Sequence, residues 1–375
     1  MKVLITGSHF TPAQAVIEEL KKDPSVEIVY VGRSSTMEGD NVSSLESQVL
    51  PKMGVRFIPI FAGRLQRSFT RYTIPSLLKF PIGLIQALWI VLVERPNITL
   101  SFGGYVAVPV VICSWLLSIP VMVHEQTLIT GLANTISSFF AQKIAISFDQ
   151  NYSFDGTKVV VTGNPIRREV LFPSKKVDED LAKFFSVASK DNLPIVLITG
   201  GNQGSHVINK TVLGLLDQLT ERFCVVHQTG DSRFHDFDKL SQKQKGLKRP
   251  DHYLVKKWVS GVWMGQIYQK TSLVISRAGI NTLLELAYWH LPTIVIPIPY
   301  LHKNEQMVNA KYFERLGLVK ILPQSVLAED SLWKNLDSLE SGLDRWQKST
   351  KVAKRAVIKD AAKRLALEVR LLSKE

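Results

Sequence analysis

An α/β fold of two Rossmann-like halves, each a mostly parallel sheet with helices on both faces, follows from three observations on this 375-residue sequence. Short β-branched runs alternate with stretches of helical periodicity, the order that βαβ units produce. Several of those runs end directly in glycines: Ser101-Phe102-Gly103-Gly104-Tyr105, Thr199-Gly200-Gly201-Asn202-Gln203-Gly204 and Ser276-Arg277-Ala278-Gly279. The chain is also longer than a typical domain of about 100 to 200 residues, so two lobes are expected. A strand that ends in glycine and opens into a helix presents backbone N–H groups at the positive end of the helix dipole. That setting favours a phosphate or diphosphate.

In the first half, strands are expected at Val3–Ile5, Glu27–Val31, Asn97–Leu100, Val121–His124, Ala145–Ser147 and Val159–Val161, with a helix over about Pro12–Lys22. A second series runs through Ile195–Ile198, Cys224–His227, Tyr253–Val255, Leu273–Ile275 and Thr293–Ile296. The hinge is placed at Thr162-Gly163-Asn164-Pro165, where proline pushes Asn164 out of the helical region, giving lobes 1–163 and 164–344. A basic helix over about Arg345–Leu372 closes the chain and is expected to cross back onto the first lobe. Ligands of open parallel sheets bind beyond the carboxyl ends of the strands, so the two sets of loops are expected to share one cleft.

Composition narrows the function. The net charge of +13 points to a negatively charged partner, yet no zinc-finger spacing or aromatic RNA-binding strand is present, so nucleic acid is not expected. Anionic lipid together with a diphosphate ligand fits the charge better. Cys113 and Cys224 lie in apolar runs as reduced, packed cysteines, and with no secretory signal at the N-terminus a cytoplasmic location is expected. Phe80–Val93, about fourteen residues, is too short to cross a hydrocarbon core that needs about twenty. Tyr105–Val123 is long enough but is split by Pro109 and Pro120 into a short helix and a strand at Pro120–His124, so no transmembrane span is expected. Arg64, Arg67, Arg71 and Lys79 precede the apolar face of Phe80, Ile82, Leu84, Ile85, Leu88 and Trp89, a pattern that suits either a core helix or docking on anionic lipid. Asp178-Glu179-Asp180 and Asp236-Phe237-Asp238 read as solvated surface, and no metal or other cofactor is expected.

Eight motifs then carry a resemblance when taken in order: Thr6-Gly7-Ser8-His9, Ser101 to Tyr105, His124-Glu125-Gln126, Thr162 to Arg167, Gly200 to Gly204, His227-Gln228-Thr229-Gly230, Ser276 to Gly279, and Gln306 with Asn309-Ala310. Over roughly residues 3 to 311 the chain resembles the MurG family of glycosyltransferase family 28, two-lobed GT-B enzymes of peptidoglycan synthesis. The resemblance implies an inverting transferase that moves N-acetylglucosamine from UDP to the muramoyl 4-hydroxyl of undecaprenyl-diphosphate-linked MurNAc-pentapeptide, turning lipid I into lipid II. It implies work at the cytoplasmic face of the cell membrane, held peripherally, and makes other cell-wall synthesis proteins further candidate partners.

The resemblance also distributes roles. His9 and Glu125 are rival general bases, an imidazole with an ordinary pKa near the working pH and a carboxylate that burial can raise. Thr6, Gly7, Ser8, Thr127, Arg167, Asn202, Gly279, Ile280, Asn281, Thr282, Leu283, Leu284, Glu285 and Gln306 are implied to bind UDP-N-acetylglucosamine, Glu285 through the ribose hydroxyls. Gly103, Gly104 and Tyr105 belong to the acceptor diphosphate loops. Read without the family, Thr282 and Glu285 form a capping box on the helix after Gly279, and the glycine loops are ordinary strand-to-helix turns. The chain departs from the family pattern at Ser8 (glycine), Thr127 (asparagine) and Asn202 (serine), and Leu4-Ile5 stands where two further glycines are usual. A different lipid-acceptor transferase, a sugar-nucleotide epimerase on the same scaffold, and a non-catalytic nucleotide-sugar binder are the alternative readings.

Overall fold

The structure, a computed structural model, describes residues 1–34, 44–61, 73–176, 178–201, 203–231 and 233–374. The chain forms two compact units, Met1–Ile166 with Ile358–Glu375, and Arg167–Val357.

In the first unit the described strands are β1 (Lys2–Thr6), β2 (Glu27–Gly32), β3 (Arg56–Pro59), β4 (Ile98–Ser101), β5 (Val121–Glu125), β6 (Lys143–Ile146) and β7 (Val159–Val161), ordered β3-β2-β1-β4-β5-β6-β7. Every pairing among them is parallel. Val3, Leu4 and Ile5 are fully buried because the sheet is covered on both faces, which is why β1 reads as a continuous apolar run and not as an alternating one. Val3 and Ile5 pack with Val16, Leu20, Leu365 and Val369, and Leu4 packs on the other side with Val31, Ile90 and Val110.

The second unit repeats the scheme with β8 (Ile195–Thr199), β9 (Cys224–Gln228), β10 (Tyr253–Lys256), β11 (Thr271–Ser276), β12 (Thr293–Val295) and β13 (Val319–Ile321), ordered β10-β9-β8-β11-β12-β13 and again parallel. In each sheet the order reverses once, between β1 and β4 and between β8 and β11. Those reversals are the points at which ligands of such sheets bind, and the glycine loops of the sequence follow these same strands.

Three expectations are corrected. The edge strands β3 and β13 are not expected from the sequence, being only four and three residues long and each carrying a charged residue. The single closing helix is instead a helix at Leu343–Thr350, a 3-10 turn at Lys351–Ala356 and a helix at Ala361–Leu372. The break coincides with the return of the chain to the first unit, where Ile358 and Ala361 settle on Gly163. The first helix begins at Phe10, not Pro12, since proline is tolerated within the opening turn. The apolar stretch from Phe80 lies in the helix Thr73–Glu94, and Tyr105–Val123 resolves into the helix Ala107–Leu116 and β5. Among the described residues no helix is long and apolar enough to cross a membrane.

Candidate active site

In the first unit three loops meet at the β1/β4 reversal. Gly7 has φ +142°, and a Cβ there would lie 2.8 Å from the backbone carbon of Phe102, so only glycine lets the β1 and β4 loops approach. Ser8 N donates to Gly103 O at 3.0 Å, Phe102 N to Thr6 O at 2.7 Å, and the Tyr30 hydroxyl to Gly7 O at 2.9 Å. The Ser8 hydroxyl occupies the space that a side chain on Gly104 would need, so the family's extra glycine is replaced here by a side chain that fills the gap. The helix Leu132–Phe140 that follows the β5 loop joins through Asn134, whose Oδ1 is buried without a described partner and lies 2.5 Å from where a Cβ on Gly103 would sit.

The two rival bases differ in their surroundings. Glu125 is buried, and its carboxylate is fully engaged: Oε1 accepts from Thr127 N at 3.0 Å and Thr127 Oγ1 at 2.8 Å, Oε2 from Asn134 Nδ2 at 2.9 Å and Gly131 N at 3.4 Å. Burial raises its pKa against the pull of these donors. Thr127 serves that carboxylate, and its hydroxyl is also 2.6 Å from Ile129 O. His9 precedes the helix Phe10–Leu20 and is partly buried, and its ring has no hydrogen-bond partner among the described residues. Burial first, then the charge of Arg33, push its imidazole down to about 4, so it is neutral at neutral pH. His124 is a structural counterpart: fully buried, with Nε2 3.1 Å from Gly163 O and its ring edge-on to Phe102.

The second unit presents a comparable arrangement at the β8/β11 reversal. A Cβ on Gly204 would meet Thr229 O at 1.8 Å, and one on Gly230 would meet Gly204 N at 2.4 Å, so the β8 and β9 loops are pressed together through glycine. Gly201, with φ +79°, has an open side. Asn202 lies outside the described residues, as do Arg64, Arg67, Arg71 and the side chain of Lys79. After β11, Gly279 is the N-cap of the helix Ile280–Trp289 and supplies no side-chain cap, leaving the first-turn N–H groups of Ile280, Asn281 and Thr282 as the donors of that end. Ile280, Leu283 and Leu284 are buried, so whatever they offer a ligand is backbone.

The expected capping box is therefore absent. Thr282 is the third residue of the helix and Glu285 the sixth, beyond capping reach, because the extended backbone of Gly279 starts the helix earlier than the spacing suggested. Glu285 instead takes Arg167 Nε and Nη2 on Oε1 at 3.1 and 2.9 Å, Arg167 Nη2 on Oε2 at 3.2 Å, and the Tyr268 hydroxyl on Oε2 at 2.9 Å. Tyr268 was missed from the sequence, where it is one more large residue on the buried side of the helix Gly261–Lys270. Gln306 Oε1 accepts from Ala278 N at 3.3 Å and Ile298 N at 3.0 Å, stitching the β11 and β12 loops together. Asp236, expected at the surface, is buried and bound to His206 at 2.8 Å and Asn209 at 3.0 Å. Asp178 caps a helix and Asp180 pairs with Lys256.

Comparison with known proteins fits both units. Residues 6–146 match the N-terminal domain of glycosyltransferase family 28 and residues 195–365 its C-terminal domain. A UDP-N-acetylglucosamine–N-acetylmuramyl-(pentapeptide) pyrophosphoryl-undecaprenol N-acetylglucosamine transferase of Clostridium botulinum (strain Langeland) is 34% identical, with 90% of each chain covered. The protein of the same name from Halalkalibacterium halodurans is 30% identical over the whole of both chains. Among solved structures, MurG of Acinetobacter baumannii superimposes with a TM-score of 0.71 at 21% identity over 99% of each chain. A UDP-GlcNAc 2-epimerase from Neisseria meningitidis shares the fold with a TM-score of 0.63 at 15% identity, over 99% of this chain and 100% of that one. With two parallel-sheet units, glycine loops at both sheet reversals and relatives matched along nearly its full length, this chain is a GT-B protein of glycosyltransferase family 28 and belongs to the MurG family.

Proposed function

We propose that this chain transfers N-acetylglucosamine from UDP-N-acetylglucosamine to the MurNAc 4-hydroxyl of undecaprenyl-diphosphate-linked MurNAc-pentapeptide, forming lipid II. The observation that carries the reading is the 34% identity, over 90% of the chain, to a relative named for that transfer. The second unit holds the donor: the uncapped first turn after Gly279 receives the UDP diphosphate, and Glu285 the ribose. Arg167, Gln306 and the Gly200–Gly204 loop complete that donor site. The Gly7, Gly103 and Gly104 loops of the first unit hold the lipid diphosphate through their backbone.

In the transfer the acceptor hydroxyl oxygen bonds to the anomeric carbon as the bond from that carbon to UDP breaks, with inversion. The hydroxyl proton passes to His9, which is neutral and has no competing partner among the described residues, whereas Glu125 is committed to four donors. The electron pair leaves with the β-phosphate, where helix N–H groups stabilise the charge as it develops. The lipid acceptor places the work at a membrane surface, which the exposed apolar side chains Ile82, Ile85 and Trp89 of the helix Thr73–Glu94 suit.

Incubation with labelled UDP-N-acetylglucosamine, with and without lipid I, tests the reading. Label should enter lipid only when lipid I is present. Label in a free epimer, or no consumption in either arm, overturns the proposal.

A further inference from the structure

Glu285 is nine-tenths buried, and its carboxylate has no vacant acceptor position. Each carboxylate oxygen offers about two lone-pair sites. Oε1 is filled by Arg167 Nε and Nη2, and Oε2 by Arg167 Nη2 and the Tyr268 hydroxyl, at 2.9 to 3.2 Å throughout. A ribose brings two hydroxyl donors, so it can bind this carboxylate only by displacing bonds already made. The three bonds from Arg167 are not equivalent: Nη2 reaches both oxygens, at 2.9 and 3.2 Å, whereas Nε reaches Oε1 alone, at 3.1 Å. Arg167 is the partner with room to move, its side chain being 19% exposed where that of Glu285 is 5%, and its Nη1 stands beside Gly261 and the Glu169 carboxylate. Tyr268 has no such freedom, being 3% exposed inside the helix Gly261–Lys270.

We propose that Arg167 is a placeholder on the ribose contact. It occupies Glu285 until a nucleoside diphosphate arrives, then yields its bonds to the ribose hydroxyls and turns its guanidinium to the diphosphate attached to the same ribose, while Tyr268 stays and fixes the carboxylate. The inference rests on the donor reading above and adds two positioning roles to it. It gives ribose recognition a cost that only a phosphate-bearing nucleoside offsets, because the displaced guanidinium then meets a new anion. Glu169 is a further charged group near Arg167, and its carboxylate faces Gly261 as well.

Calorimetric dissociation constants of UDP and 2′,3′-dideoxy-UDP test the exchange, since their ratio isolates the hydroxyl contact from the diphosphate contact. In the unaltered protein the ratio should be small, because bonds are traded for bonds. In Arg167→Met it should rise by about tenfold, the scale of a hydrogen bond to a charged group made without a competitor. If that variant does not fold, Arg167→Lys, which keeps a positive charge by the buried carboxylate but cannot fork across both oxygens, should raise the ratio several-fold. Tyr268→Phe should lower it, as the carboxylate loses its fixed orientation. A purely structural role for both residues predicts a fall in every variant, and a fall or no change at position 167 overturns the inference. If the unaltered protein binds no UDP at all, the donor reading fails and takes the inference with it.

Discussion

At the residue scale, the two candidate bases differ in their hydrogen bonds. Glu125 ends β5 and His9 lies in the loop after β1, so both stand at the carboxyl ends of parallel strands of the first unit, a likeness that spacing alone could show. Only packing reveals that Asn134 and Gly131 close on one oxygen of Glu125 while Thr127 closes on the other. His9→Ala should lower kcat by about 10² to 10⁴, the usual range for positioned proton transfer, with the KM for UDP-N-acetylglucosamine changed little. An unaltered kcat would remove His9 from that role. The pH dependence of the proposed role has a defined sign: protonation removes the lone pair that would accept the proton, and burial, then the charge of Arg33, push the imidazole down to about 4. The acid limb of the rate profile should therefore lie near 4, well below the 6.5 of an exposed histidine. Glu125→Gln should act differently. Its new amide N–H₂ would face either the Asn134 and Gly131 donors or those of Thr127, leaving buried donors unpaired at a cost of about 1–3 kcal/mol. Thermal denaturation should show that loss, while the folded variant keeps kcat within tenfold. A variant as stable as the parent but without activity would return Glu125 to the chemistry.

At the element scale, most of the fold was legible because buried parallel strands advertise themselves as apolar β-branched runs, and the glycine loops marked where they end. What escaped was decided by tertiary context. β3 and β13 are edge strands too short to carry a pattern, and they are strands only because β2 and β12 lie alongside. The closing segment is periodic from about Arg345 onward, so nothing local announces that the chain changes units at Ile358. The Thr282/Glu285 spacing fitted a capping box, yet a helix begun at Gly279 carries Glu285 into its second turn, where Tyr268 and Arg167 reach it. The helix Ala361–Leu372 is integral to the first unit even though it lies some two hundred residues beyond the rest of it, since Leu365 and Val369 are fully buried with Val16 and Leu20. Leu365→Ala should then destabilise the first unit by about 2–5 kcal/mol, the range for truncating a buried leucine. Differential scanning calorimetry, or hydrogen exchange read at the β1 amides, should register the loss in that unit while the β8 and β11 amides of the second keep their protection. Equal loss in both units would contradict the assignment of this helix.

At the scale of the whole molecule, the net charge of +13 and the apolar surface act together, and neither was decisive in the sequence. Charge signals a negative partner without naming it, and an apolar stretch reads the same whether it faces a core or a lipid. The structure separates the two faces of the helix Thr73–Glu94: Ala87, Ile90 and Val91 are buried against Leu4 and Val110, while Ile82, Ile85 and Trp89 stand 58%, 70% and 63% exposed. Such side chains gain about 25 cal/mol for each square ångström removed from water, and an anionic surface adds attraction at longer range to a strongly basic protein. The two contributions respond differently to salt, because screening shortens the reach of charge to about 3 Å at 1 M but leaves apolar burial intact. Sedimentation with phosphatidylglycerol vesicles should therefore capture the protein at low ionic strength, with capture reduced but not abolished at 1 M salt. Ile85→Ser combined with Trp89→Ser should remove the salt-resistant fraction and leave the low-salt fraction largely in place, since neither change touches a charge. Capture that vanishes completely in salt for the parent protein would assign the association to charge alone, and the exposed face of this helix would then have no part in holding the enzyme at its lipid acceptor.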